Sequence, residues 1–136
     1  MKPTPDAVPE EMLNAIVAQY PGKAVFIDCW ATWCVPCMKG IEAMEPMKEQ
    51  MKGLDVVFVY LTNETSQMDA WSEQVIKIPG QHYRIKSDVW NKIPGLGAIP
   101  QYYLYDRQGK RVWETTGFGK ETLKEIETEI NRVLEQ

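Results

Sequence analysis

Residues 28–37 of the 136-residue chain read Asp-Cys-Trp-Ala-Thr-Trp-Cys-Val-Pro-Cys and contain all three of its cysteines. They join two predicted elements of secondary structure. Residues 24–30 (AVFIDCW) are a short apolar run without polar alternation, which predicts a strand buried on both faces. Residues 35–51 are rich in Met, Lys and Glu and predict a helix. Cys34 and Cys37 therefore lie three residues apart at the point where a strand leads into a helix.

This junction suits a pair of cysteines that are oxidised and reduced together. The first turn of a helix has free N–H groups and a partial positive charge, which stabilise a thiolate at Cys34. The spacing of three residues places Cys37 on the same helix face, one turn further in, where it can resolve a mixed disulfide. Pro36 falls in the first turn, where its missing N–H costs little. We therefore expect Cys34 to be the nucleophile and Cys37 the resolving cysteine.

A CxxC pair can also be half of a zinc site. A closed structural zinc site needs four ligands, and the chain offers only one further cysteine, Cys29, and one histidine, His82. The strand-to-helix context favours the redox pair, so we expect no metal. Cys29 is interpreted as a small buried hydrophobe, with a third redox thiol as the alternative. His82 is expected to be a solvated loop residue.

Outward from this junction, hydrophobic periodicity and turn residues predict the remaining elements. A second buried strand at residues 55–61 completes a parallel β-α-β unit with the first. An α-rich region follows, and then a β-β-α unit whose strands flank a short turn containing glycine. Before the β-α-β unit, a helix is predicted over 9–20. After it, the sequence predicts a helix that follows the polar residues 62–66 and ends near 76, and a region at 77–98 broken by Pro and Gly. A hairpin with strands at 101–105 and 111–114 and an amphipathic helix over 120–134 are predicted to complete the chain.

The length and charge of the chain limit what kind of protein this is. The length suits one domain spanning residues 1–136, with 1–8 as a flexible lead-in. Fifteen Lys and Arg against nineteen Asp and Glu leave a net charge of −4, so the chain lacks the excess of basic residues typical of nucleic-acid-binding proteins. No run of the sequence is apolar enough for a transmembrane helix or a signal-peptide core. Taken literally, this indicates a cytoplasmic protein, but the Pro-rich lead-in after Met1 is equally consistent with a start at a domain boundary, and both compartments are kept as expectations.

Two stretches in the right order resemble the signatures of the thioredoxin superfamily. Residues 28–37 are similar to the motif WAxWCxxC preceded by a strand with an acidic residue. Residues 97–106 (GAIPQYYLYD), followed by Gly109-Lys110, resemble the second signature. The resemblance covers roughly residues 22–134. It implies an α/β thioredoxin fold, in which helices flank a central mixed sheet and an α-rich insertion at 62–98 precedes the strand that follows the cis-proline.

The resemblance also implies roles for single residues. Pro100 follows a cis peptide bond and faces the redox pair, while Ile99 hydrogen-bonds the substrate backbone. Asp28 is the proton relay for Cys37. No dissociable cofactor is implied beyond the redox-active disulfide of the two cysteines. The residues expected to bind substrate are Trp33, Val35, Pro36 and Ile99.

Within the superfamily, the WATWC motif, the insertion and the hairpin with Asp106 and Gly109-Lys110 resemble the TlpA-like reductases of bacteria. Proteins of that group usually lie outside the cytoplasmic membrane, as anchored proteins or as domains of longer chains. The resemblance therefore implies a periplasmic domain trimmed from a longer protein. It also implies protein thiols and disulfides as substrates, an upstream electron donor and a monomeric state.

The sequence departs from the thioredoxin pattern near Asp28. Thioredoxins pair the buried acid with a lysine from the next strand, but residues 57–61 (VFVYL) supply none. Glu42 stands where the family often has proline, and Pro46 follows a turn later, which would move any kink in the helix. A desolvated carboxylate at Asp28 would still have a raised pKa, which suits proton transfer near neutral pH.

Together these features predict a thiol–disulfide oxidoreductase that works as a reductase on protein substrates. A thiol peroxidase of the same fold is one alternative. Peroxiredoxins place a threonine three residues before the reactive cysteine, whereas here that residue is Ala31 and Thr32 lies two before it. A redox-inert module that holds a peptide in the cleft is the second alternative, and the intact CxxC motif with Pro100 argues against it.

Overall fold

A five-stranded sheet with helices on both faces organises the chain, and the computed structural model describes all of residues 1–136. The strands are β1 (Ala24–Cys29), β2 (Val56–Asn63), β3 (Gln81–Ile85), β4 (Gln101–Tyr105) and β5 (Arg111–Thr116). A 3₁₀ turn at Pro9–Glu11 precedes the helices α1 (Met12–Val17), α2 (Val35–Gln50), α3 (Met68–Lys77), α4 (Ser87–Trp90) and α5 (Thr122–Leu134). None of these helices has the length and apolar character needed to cross a bilayer.

Strand β1 lies at the centre of the sheet, whose order is β3-β2-β1-β4-β5. It runs parallel to β2, with α2 as the crossover, and antiparallel to β4. β3 is parallel to β2, and β5 is antiparallel to β4. All six residues of β1 are buried, as its unbroken apolar sequence predicts. The mixed sheet and the β-α-β and β-β-α order expected from the sequence are confirmed.

The side chains of β1 alternate between two hydrophobic cores. Val25 and Ile27 point to the face covered by α1, while Ala24 and Phe26 point to the face covered by α2 and α5. Successive residues of a strand face opposite sides, so Asp28 shares the face of Ala24 and Phe26. This parity places an acidic side chain under helix α2, the helix that begins with the CxxC motif.

The insertion differs from the sequence prediction in one respect, because it contains a strand as well as helices. Residues 77–98 were predicted only as short pieces, yet Gln81–Ile85 pairs in parallel with the end of β2 as the edge strand β3. Five residues between a Pro-Gly pair and a helix give too short a pattern to identify a strand by periodicity. The lead-in touches this edge, since the N–H of Lys2 donates to the carbonyl of His82 at 2.9 Å.

His82 is therefore not a solvated loop residue, and that prediction was wrong. It lies in β3 with 2% of its surface exposed. Its ring stacks on Tyr60 of β2 with centroids 5.1 Å apart, and Nε2 lies 2.7 Å from the carbonyl oxygen of Ile78. Burial is the main cause of a lowered pKa for the His82 imidazole, because a charged ring would lose its hydration there.

Candidate active site

A disulfide joins Cys34 and Cys37 at the start of α2, with their Cα atoms 5.2 Å apart. Cys34 is the N-cap residue of the helix, and the backbone N–H of Cys37 donates to its Sγ at 3.3 Å. A helix N-terminus presents such N–H groups together with a partial positive charge. The same contact would stabilise a thiolate on Cys34 when the pair is reduced. Cys37 is fully buried and Cys34 nearly so, at 4% exposed.

The peptide bond between Ile99 and Pro100 is cis and lies beside the disulfide. The carbonyl oxygen of Ile99 is 4.0 Å from Sγ of Cys34. Antiparallel pairing explains this proximity, because the end of β1 at Cys29 is opposite the start of β4 at Gln101. The two segments that carry the sequence signatures, 65 residues apart at Cys34 and Ile99, thus meet at one edge of the sheet.

An exposed apolar surface surrounds the disulfide. Trp33 and Val35, on either side of Cys34, are 61% and 63% exposed, and Pro36 is exposed as well. Large side chains that remain this open beside a reactive group offer contact area to a partner. Ile99, whose carbonyl oxygen lies 4.0 Å from the Cys34 sulfur, is half-buried. The structure therefore brings together the residues that the sequence analysis named as substrate-binding.

Asp28 is buried in the sheet with neither carboxylate oxygen hydrogen-bonded. Its partners in register are Tyr60 of β2 and Tyr102 of β4, so two phenol-bearing residues flank the acid. Desolvation raises the pKa of Asp28 to about 8, and the positive charge of Lys48 opposes the rise. A carboxyl group with this pKa can accept or release a proton near neutral pH.

Lys48 is a site residue that the sequence did not predict. It belongs to α2 and is only 8% exposed. Its Nζ donates to the Tyr60 hydroxyl at 2.5 Å, to the Pro79 carbonyl at 2.6 Å and to Glu45 at 3.3 Å. Burial lowers the pKa of Lys48, while Glu45 and, less strongly, Asp28 raise it. The positive charge that thioredoxins take from the next strand comes here from the helix above the sheet.

The helical spacing of α2 contained the signal for this residue. Lys48 follows Cys37 by eleven residues, which is about three turns of an α-helix and returns to the same face. The buried residues of α2 confirm that face: Cys37, Gly40, Ile41, Met44, Met47 and Lys48. A lysine on an otherwise apolar helix face, over a strand that carries a buried acid, is the pattern that identifies it.

Cys29 is a free thiol with no exposed surface and faces the core that lies opposite α2. Burial and, less strongly, the nearby Asp28 charge raise its pKa well above that of a free thiol, against the opposing charge of Arg111. The interpretation of Cys29 as a buried hydrophobe is confirmed, because the thiolate needed for exchange is disfavoured there. No group of three or more His, Cys, Asp and Glu side chains is arranged to hold a metal ion.

A disulfide at a helix N-terminus, opposite a cis-proline at the edge of a five-stranded mixed sheet, defines a thioredoxin-fold protein with a dithiol–disulfide site. The Redoxin family model matches residues 14–130. The chain belongs to the Redoxin family and is a TlpA-like member of the thioredoxin superfamily.

Curated relatives agree with this assignment. The thiol-disulfide oxidoreductase ResA of Bacillus anthracis is 26% identical over 117 residues, which are 82% of this chain and 64% of ResA. The thioredoxin-like protein YneN of Bacillus subtilis is 30% identical over 117 residues, covering 81% of this chain and 65% of YneN. The chain thus spans just under two thirds of the length of these relatives.

Two solved structures share the fold. A thiol:disulfide interchange protein of the thioredoxin family from Chlorobium tepidum has a TM-score of 0.72 at 18% identity, covering 86% of this chain and 83% of that one. The thioredoxin domain of a thiol-disulfide oxidoreductase from Bacteroides vulgatus has a TM-score of 0.69 at 18% identity, covering 84% of each chain.

Proposed function

We propose that this protein is a thiol–disulfide oxidoreductase that reduces disulfides in protein substrates. The observation that carries the proposal is the position of the CxxC pair, with Cys34 capping α2 and the Cys37 N–H directed at its sulfur. This arrangement favours a thiolate on the cysteine nearer the surface and keeps its partner within reach. The oxidoreductase relatives support the same chemistry.

The proposed reaction is two successive exchanges. The Cys34 thiolate attacks one sulfur of a substrate disulfide, the S–S bond breaks, and the second substrate sulfur leaves as a thiolate that takes up a proton. Cys37 then loses its proton and attacks Sγ of Cys34, which releases the other substrate thiol. Two electrons pass from the enzyme dithiol to the substrate, and the Cys34–Cys37 disulfide remains. A separate dithiol donor must reduce it before the next cycle.

Asp28 is proposed as the acceptor of the Cys37 proton. Its carboxyl group lies under α2, has no hydrogen-bond partner and has a pKa raised to about 8 by burial. An acid with that pKa is a stronger base than an ordinary aspartate and can return the proton in the reverse direction. Lys48 is the nearby cation that keeps part of the population ionised.

The proposed binding mode places substrate between the exposed side chains of Trp33, Val35 and Pro36 and the cis-Pro100 loop. The Ile99 carbonyl, 4.0 Å from the Cys34 sulfur, is positioned to accept a hydrogen bond from an extended substrate backbone. Membership of the TlpA-like group supports an extracytoplasmic location, and we propose a monomer that receives electrons from an upstream dithiol partner.

Insulin reduction by dithiothreitol tests the proposed activity. Cys34→Ser should abolish turnover. Cys37→Ser, reduced beforehand and freed of dithiothreitol before insulin is added, should accumulate a mixed disulfide with substrate because it lacks the resolving thiol. Cys29→Ala is the matched control, since Cys29 is buried away from the pair and its loss should leave the rate unchanged. Native insulin reduction by Cys34→Ser would contradict the proposal. Fast peroxide consumption that depends on Cys34 would indicate the peroxidase alternative instead.

A further inference from the structure

The turn that precedes Cys34 is held from outside by the loop after β2. The N–H of Cys34 donates to the carbonyl of Ala31 at 3.1 Å, which closes a turn over residues 31–34 between β1 and α2. Inside the turn, the N–H of Thr32 donates to the hydroxyl oxygen of Ser66 at 2.9 Å. Ser66 belongs to the loop at residues 64–67, between β2 and α3.

The Ser66 hydroxyl is itself fixed by a buried partner. Its oxygen lies 2.6 Å from that of Thr62, and both residues have no exposed surface. A hydroxyl offers one proton and two lone pairs, so Ser66 can accept from Thr32 while sharing a proton with Thr62. Leaving any of these buried groups without a partner is costly. The hydroxyl pair therefore holds the Thr32 amide in one place.

A second hydrogen bond holds the next residue of the turn to the same loop. The indole Nε1 of Trp33 donates to the hydroxyl of Thr65 at 2.9 Å, and this hydroxyl donates to the side-chain oxygen of Asn63 at 2.5 Å. The exposed indole is thus fixed at its polar edge. The two residues that precede Cys34, Thr32 and Trp33, are thus bound by two consecutive residues of the loop, Ser66 and Thr65.

The loop is in turn anchored to the edge strand β3. Nε of Arg84 donates to the carbonyl of Ser66 at 2.9 Å, and its Nη2 donates to the carbonyl of Glu64 at 3.4 Å. The backbone N–H of Ser87, at the start of α4, donates to the Glu64 carboxylate at 2.8 Å. The insertion is therefore connected to the redox turn through hydrogen bonds at Ser66.

We propose that Ser66 is a positioning residue of the redox site: by holding the Thr32 amide, its hydroxyl sets where the Cys34 sulfur lies relative to the Cys37 N–H and the Ile99 carbonyl. The proposal rests on the thiol–disulfide exchange proposed above. Hydrogen bonds weaken steeply as distance and angle depart from their optimum. A turn released from Ser66 would therefore weaken the hydrogen bond from the Cys37 N–H and stabilise the Cys34 thiolate less well.

The test uses variants that differ in one hydroxyl. Ser66→Ala and Thr62→Val remove the two members of the buried pair, while Thr62→Ser keeps the hydroxyl. Ser72→Ala, on α3 and outside this network, is the matched control. Reduced proteins are alkylated with iodoacetamide across pH, and peptide mass spectrometry follows the adduct on Cys34 separately from any adduct on Cys29 or Cys37. Thermal unfolding of each variant is measured in parallel.

For Ser66→Ala and Thr62→Val we expect the alkylation midpoint to rise by about half to one pH unit. Insulin turnover at pH 7 should fall about three- to ten-fold, because less Cys34 is thiolate. Thr62→Ser and Ser72→Ala should behave as the wild type. A loss of turnover without a change in the midpoint would overturn the proposal, as would wild-type midpoints in both hydroxyl-deletion variants.

Failure of the proposed function would give a different result. Wild-type protein that does not reduce insulin would refute the oxidoreductase activity, while the alkylation midpoints would still decide the role of Ser66. If Ser66→Ala does not fold, the comparison of Thr62→Val with Thr62→Ser decides by the same midpoint criterion.

Discussion

Replacing Asp28 by asparagine should make the oxidised protein more stable near neutral pH. Asp28 is fully buried with no partner for its carboxylate, and burial raises its pKa from 3.8 to about 8. A folded state that binds the proton more tightly than the unfolded state is most stable where both are protonated. The tighter binding of the Asp28 proton therefore contributes fully to the stability of the fold below pH 3.8, and this stabilisation is lost as pH rises toward 8.

The size of the effect follows from the pKa shift. Each pH unit between the two pKa values costs the wild type about 1.4 kcal/mol of unfolding free energy. At pH 7 the accumulated loss of unfolding free energy is about 4 kcal/mol. Most domains have an unfolding free energy of only about 5–15 kcal/mol, so the loss is a large part of it. Asparagine has nearly the same shape and does not titrate, so the Asp28→Asn variant avoids this loss.

Urea unfolding of the oxidised proteins between pH 4 and pH 8 measures the effect. In the oxidised form Cys34 and Cys37 do not titrate, and the other titrating groups, His82 included, are the same in both proteins. The stability difference between Asp28→Asn and wild type should grow by about 1.4 kcal/mol per pH unit up to pH 8. Asp69→Asn, which changes an exposed aspartate on α3, is the control.

A stability difference that stays constant within about 1 kcal/mol from pH 5 to pH 8 would refute this reasoning, because Asp28 would then titrate as in the unfolded chain. The same variant should reduce insulin more slowly, since Cys37 loses its proposed proton acceptor. An Asp28→Asn variant that is more stable and less active than the wild type is the combined result expected if Asp28 serves proton transfer at a cost in stability.

Three further predictions concern the surroundings of the site. Lys48→Met should raise the pKa of Asp28 further, because it removes the cation that opposes the rise. A ¹³C-carboxylate NMR titration of the variant and the wild type measures this pKa, and an unchanged midpoint would show that Lys48 does not act on Asp28. Gly40→Ala should destabilise the protein by about 1–3 kcal/mol in thermal unfolding. Its new Cβ would lie 2.7 Å from the Tyr102 hydroxyl, so the loss should be smaller when the same substitution is made in a Tyr102→Phe background, and an equal loss would contradict that cause. Trp33→Ala should raise KM for insulin several-fold with little change in thermal stability, since the side chain is 61% exposed, and an unchanged KM would remove Trp33 from the substrate surface.

The sequence was sufficient where the information is local. The strand ending at Cys29, the helix beginning after Cys34 and the hairpin around Gly109 are each specified by a few neighbouring residues. The buried strands were recognised because they are continuous apolar runs. β3 was not, because five residues of mixed polarity next to Pro79-Gly80 have no distinctive period and form a strand only by pairing with β2.

The functional site was predicted only in part, because only some of its residues lie in local sequence patterns. Cys34, Cys37 and Pro100 lie in signatures that can be recognised from neighbouring residues. Lys48 does not, because its importance depends on which face of α2 covers Asp28. Ser66 gave no signal either, since a serine in a loop acquires a role only when a backbone amide 34 residues away meets it.

By itself, the sequence determined the redox chemistry available to this protein: two cysteines at a strand-to-helix junction, an acid in the preceding strand and a third cysteine left over. Only the tertiary structure decided how that chemistry is tuned. The charge that opposes the raised pKa of Asp28 comes from Lys48, twenty residues along the chain, and the turn before Cys34 is held by Ser66. Periodicity is a property of neighbouring residues, whereas the packing of a helix on a sheet and the pairing of strands bring distant residues together, and those contacts set charge, burial and position.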